Sequence, residues 1–227
     1  MSGTGRKKSY LTEAVVIVIS ILLAFGIDAS WDARKADADE AALVEAIRAG
    51  MLTNLEALDR YIAGVELRRD YRERFFETTA DDLGQLEPDS AAVFLRIFSA
   101  SGFFTPSDGA LRTSSLSTIT DLPLRNELGS WLRFSEDVTE DQQILESGAR
   151  DVATKSGLAG APRALRGGAL FPEVGTTASV LAQLRREPEF IDALLIHDIK
   201  LRRNGDKLRL LRESTSAVLS RIAESQR

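Results

Sequence analysis

Between Tyr10 and Ile27 the chain carries an apolar run broken only by Thr12, Glu13, Ser20 and Gly26. No other feature restricts its folding so tightly. As a helix these residues rise about 27 Å, close to the hydrocarbon thickness of a bilayer. Arg6, Lys7 and Lys8 precede the run. Continued through "DASW", the helix sets Tyr10 and Trp31 about 32 Å apart along its axis, one aromatic at each interface. Residues 10–31 are therefore expected to form a transmembrane anchor after a short basic segment at 1–9. Asp28, Asp32, Arg34 and Lys35 are then the first charges in water.

A removed signal peptide is the alternative, because Ala24-Phe25-Gly26 loosely resembles a cleavage site. The apolar core is long for that role, and the helical pattern runs on past it. The basic cluster at 6–8 favours a cytoplasmic N-terminus in the inner (cytoplasmic) membrane, which places the bulk of the chain in the periplasm or outside the cell. Glu13 lies one turn inside the run near Lys7 and Lys8, so it reads as a snorkelling interfacial acid rather than a proton relay.

Residues 32–227 read as one helical domain. From Asp28 to about Thr79 there is no proline, and Met51, Leu55, Leu58, Ile62 and Val65 recur at helical spacing, with Leu43 and Ile47 extending the face and Phe75 and Phe76 ending it. A long amphipathic helix follows, with Asp59, Arg60, Glu66, Arg68, Arg69, Asp70, Arg72, Glu73 and Arg74 expected on a solvated face. A second helix starts near Pro88 and is broken by Gly102, Pro106 and Gly109. Another begins near Pro123 with Asp121 as its cap; Leu124, Leu128, Trp131 and Leu132 share its inner face, and Trp131 is expected to be buried. Residues 156–177 hold five glycines and two prolines and read as a mobile loop without a phosphate-binding signature.

The last helix, from Pro188 to near Glu224, has the clearest pattern. Leu194, Leu201, Leu208 and Ile222 fall at multiples of seven, with Leu211 and Val218 on a companion row that also holds His197 and Asn204. Thr215 sits on the first row. These residues are expected to pack along the helix at 40–79 through Leu55, Leu58, Ile62 and Val65, or along a second copy of the chain. His197 reads as a hydrogen-bonded seam residue, since no G-x-S-x-G elbow accompanies it. No strand-like alternation appears, so the expected fold class is all-α: a transmembrane helix, a long amphipathic helix and a helical bundle.

Composition narrows the chemistry. A net charge of −5 argues against a nucleic-acid partner. The absence of cysteine removes disulfides and thiolate chemistry, and a single histidine removes every two-His metal site. No cofactor, metal or catalytic constellation is expected, and the partners expected are membrane lipid and another protein chain or a second copy.

"LLAFGIDASWDARK", the later "NLEAL" and the block "GALRTSSLSTITDLPLRNELGSWL" together resemble a bacterial family of small single-pass membrane proteins of unknown function. In that family the span ends in a similar "ID-x-W" element before a leucine-rich helix. The resemblance covers about half the chain and implies a membrane-anchored helical protein without supplying an activity. The middle block departs from the family where a glycine-containing turn is expected. Three functions compete on these grounds. The first is a non-enzymatic, membrane-anchored interaction or scaffold module. The second is an extracytoplasmic ligand-binding or sensor domain acting through a partner protein. The third is a hydrolase using acids such as Asp108, Asp121, Glu127 and Asp137.

Overall fold

The computed structural model describes residues 4–99, 103–155 and 176–225, with side chains from Val18 onward save those of Ser99 and Thr176. Every regular element among them is helical. Helix α1 runs from Thr4 to Glu77 without a break, 74 residues or about 111 Å. Short helices α2 (Ala80–Gly84), α3 (Pro88–Ser99) and α4 (Gly109–Thr113) and a 3₁₀ turn (Leu116–Thr118) lead to α5 (Leu122–Lys155). Helices α6 (Thr176–Arg186) and α7 (Pro188–Ser225) complete the chain. Most of the expected loop at 156–177 lies outside the described residues; Thr176 and Thr177 open α6.

Helix α7 packs along both α1 and α5 and runs antiparallel to each. Arg212 meets Asp59 and Arg209 meets Glu66 on one side, while Lys207 meets Asp141 and Arg221 meets Glu127 on the other. The expectation from sequence paired α7 with the α1 region and missed α5 as its second partner. All nine residues at 3-4 spacing from Leu194 to Ile222 are buried, including His197, Asn204 and Thr215. On α5 the matching stripe is Leu124, Leu128, Trp131, Ser135, Val138, Gln142, Ala149 and Val152. Three stripes with a period near 3.5 residues close on one another, so none is left facing water.

On α1 the buried stripe is Val44, Ile47, Met51, Asn54, Leu58, Val65, Arg72 and Phe75. Leu58 and Val65 are buried, but Leu55 and Ile62 are only half-buried and flank the seam. Their places on the companion row belong to Asn54 and Tyr61. Arg72 is a correction: expected on the solvated face, it is 1% exposed. Its position is seven residues beyond Val65 and fourteen beyond Leu58, so the geometry of the helix carries it inward whatever its charge. Arg68 and Arg69 are half-buried rather than solvated.

Two cores result. One runs the length of the three long helices, from Val44 and Leu124 to Val65 and Leu201. The other caps the far end, where α2, α3 and α6 close over Phe75, Phe98 and Phe190. The three rings meet edge-on or tilted at centroid distances of 4.9, 6.0 and 5.8 Å. Such pairs add about 0.5–1.5 kcal/mol each beyond the area they bury. Arg185 of α6 donates to the carbonyls of Phe76 and Thr78, which satisfies two acceptors that the end of α1 would otherwise leave open.

Side chains also hold the connections. Asn54 uses its amide as a short mimic of backbone pairing: Nδ2 donates to Ser107 O at 3.2 Å and Oδ1 accepts from Ser107 N at 2.6 Å. Gly50 permits that approach, because a Cβ there would sit 2.9 Å from Ser107 O. Glu40 accepts from both the backbone N–H and the hydroxyl of Thr120. Asp121 caps α5 by accepting from Leu124 N at 3.0 Å.

Candidate functional site: an uncovered helix and a buried polar layer

The first candidate is the half of α1 that precedes the bundle. Every side chain from Val18 to Asp39 is exposed. Leu22, Leu23, Phe25, Ile27 and Trp31 are 64, 59, 68, 61 and 71% exposed, so apolar side chains stand out on all sides of one helix. Beyond Trp31 the exposed side chains become charged, with Asp32, Arg34, Lys35, Asp37 and Asp39 in succession. Two segments of one continuous helix thus present opposite chemistries to their surroundings.

Among the described residues no helix is long and apolar enough to cross a membrane. The expected anchor at 10–31 is therefore not found there. The reason is one of extent, since described side chains begin at Val18 and the apolar part from there to Ile27 is ten residues. Arg6, Lys7, Lys8, Tyr10 and Glu13 have side chains outside the described set. Of the two expected interface aromatics, Trp31 alone is described.

The second candidate lies where the long core meets the aromatic cap. Arg72 of α1 reaches His197 of α7, with Nη2 to Nδ1 at 2.7 Å. Arginine can only donate, so Nδ1 accepts, and the ring proton lies on Nε2, which donates to Leu145 O of α5 at 3.1 Å. Arg72 Nη1 stands 3.8 Å from Asp198, whose other oxygen accepts from Arg202 at 2.8 Å. Gly148 of α5 faces the imidazole, where a Cβ would come within 2.8 Å of His197 Cδ2. One polar layer therefore spans all three long helices.

Burial dominates its electrostatics. Desolvation first, then the adjacent Arg72, drives the His197 imidazolium down to about 3, with the Leu145 carbonyl opposing. Burial likewise pulls the Arg72 guanidinium down to about 10, with Asp198 opposing and Arg68 adding to the fall. His197 is neutral throughout the physiological range and has both nitrogens engaged, so it has no free nitrogen with which to take a proton from a substrate.

The acids considered for hydrolysis are not brought together. Asp108 pairs with Arg112, Asp121 caps α5, Glu127 lies 3.5 Å from Arg221, and Asp137 is exposed. Among the described residues no group of three or more His, Cys, Asp or Glu is placed to hold a metal. Sequence reasoning missed Arg72 and Asp198 as members of a site. Counting by sevens from Met51, Leu58 and Val65 would have found Arg72. No family model, curated protein or solved structure matches this chain.

Proposed function

We propose that the chain is a membrane-anchored helical module that presents a rigid three-helix rod to a protein partner or a second copy, and that it is not an enzyme. The observation that carries this reading is the change of surroundings along α1. Its residues 18–31 expose apolar side chains on every face, whereas 44–77 bury one stripe against α7. A helix apolar all round needs a non-aqueous medium. The run begins at Tyr10, and from there to Ile27 it has the length of a span. The resemblance to single-pass membrane proteins points the same way, as do the bases at 6–8 for a rod outside the cytoplasm.

The charged stretch from Asp32 to Glu40 then acts as a stalk. Its side chains from Asp32 to Asp39 are exposed, and it holds the rod about 18 Å from the interface, twelve residues of helix from Trp31 to Leu43. On the outer face of α7, Leu195, Ile196 and Ile199 are 44, 56 and 68% exposed, which supports a contacting role for the rod.

Deleting residues 1–35 tests the anchor. The truncated protein is expected to be soluble and helical, while the full chain stays with membranes through a carbonate wash. Retention of the truncated form after that wash would overturn the reading. A C-terminal reporter active only outside the cytoplasm tests the orientation.

A further inference from the structure

Beside His197 a small cavity opens between α1, α5 and α7, about 20 Å³ in volume, room for one water-sized body. Val65, Leu145 and Leu201 supply apolar wall, and Arg68, Gln142 and Asn204 supply polar groups. Gln142 and Asn204 are 3 and 4% exposed, and Asn204 Nδ2 has no hydrogen-bond partner among the described residues. An unpartnered buried donor is costly unless something accepts from it.

Arg68 of α1 lines the cavity, while Arg72, which is not part of the lining, faces the buried carboxylate of Asp198, which Arg202 already shares. Arg68 forms no ion pair among the described residues, and burial lowers its pKa. His197 adds no charge. Glu146 also lines the cavity, half-buried, and its carboxylate lies 3.7 Å from Arg150.

We propose that this cavity binds one small monovalent anion, chloride in chemistry and size, held by the Arg68 guanidinium and the Asn204 amide N–H. The inference rests on the cavity and is independent of membrane attachment. Gln142 can turn its amide N–H toward the same point. The unpartnered Asn204 N–H and the Arg68 guanidinium are donors, which suit an anion, and the small room favours a compact one. Binding joins α1 to α7 at the polar layer and stabilises the rod, since the anion binds the folded state and not the unfolded chain.

The test uses the full-length protein in detergent, melted in sodium chloride and in sodium gluconate at equal ionic strength, which removes the general screening effect. The melting temperature is expected to be about 2–4 °C higher in chloride, and bromide is expected to act alike. Arg68→Gln should lose the difference between salts, and Arg68→Lys should keep part of it. Crystals grown in bromide should show an anomalous peak within hydrogen-bond reach of Arg68 and Asn204. Equal melting in both salts, an undiminished difference in Arg68→Gln, or a cavity without bromide would each overturn the proposal. Where Arg68→Gln does not fold, the bromide crystal of the unaltered protein decides.

Discussion

The two tryptophans of this chain mark two regions that could hardly differ more. Trp31 stands on the uncovered half of α1 at 71% exposure, and Trp131 is wholly buried on α5. Trp131 belongs to the long core, and its indole N–H donates to Thr215 of α7 at 2.8 Å, while the Thr215 hydroxyl donates in turn to Leu211 O. Trp31 has no such setting. Helical backbone is common to both, so secondary structure is not what separates them. The difference lies in whether other helices supply the apolar surroundings, and it divides α1 itself near Val44.

Substitutions on the two sides should therefore behave differently, and the largest contrast comes from a charge. Leu208 is 1% exposed in the seam, so Leu208→Asp forfeits its burial and forces in an unpaired carboxylate. The expected cost exceeds about 5 kcal/mol, enough to abolish the cooperative melt. Arg209→Asp, one residue away on the surface, should cost about 1 kcal/mol or less. A normal melt for Leu208→Asp would mean that the seam is not the core.

Trp131→Ala comes next, at about 3–5 kcal/mol, measured by chemical denaturation. An unchanged midpoint would place Trp131 on a surface and erase the contrast with Trp31. Arg72→Met should cost about 3 kcal/mol, because Asp198 is left buried with Arg202 as its remaining ion-pair partner. The double variant Arg72→Met with Asp198→Leu should recover most of that loss. Failure to recover would show that the Arg72–His197 bond, rather than the ion pair, carries the cost.

The polar layer also has a pH signature. His197 stays neutral in the fold down to about 3, whereas in the unfolded chain it takes a proton near 6.5. Between those values the unfolded state binds more protons, so its contribution is complete above 6.5 and is lost as pH falls toward 3. From pH 7 to pH 5 the expected loss is about 2 kcal/mol. His197→Gln should be less stable at pH 7 yet flatter over that interval; an equal slope would mean the imidazole is not held neutral. The smallest effect belongs to Trp31→Ala, which should leave the melt of the rod unchanged. A drop in its melting temperature would show that the two regions are coupled.

Legibility in the sequence followed the same division. The α7 row from Leu194 to Ile222 could be read because its polar members, His197, Asn204 and Thr215, interrupt an otherwise apolar pattern without changing its period. On α1 the same period was read one row out. Leu55 and Ile62 are the more apolar choices, but Asn54, Tyr61 and Arg68 hold the companion positions because each finds a use there. Asn54 clamps Ser107, and Arg68 faces the cavity. Helix α2 has five residues, too few to carry a period at all.

Helix content, the positions of α5 and α7, the cap at Asp121, the helix start at Pro188 and the apolar run at the start are properties of short windows. A period of 3.6 residues, a cap or a run of apolar side chains acts over one to five turns, and so it can be read in one dimension. Which stripe meets which, and whether an arginine on a stripe is solvated or buried, depends on partners far along the chain. Arg72 is joined to His197 across a separation of 125 residues, and its burial is tolerable only because His197 accepts from it and Asp198 stands beside it. Desolvation is decided by everything that surrounds a group at once, and only the tertiary structure brings those surroundings together.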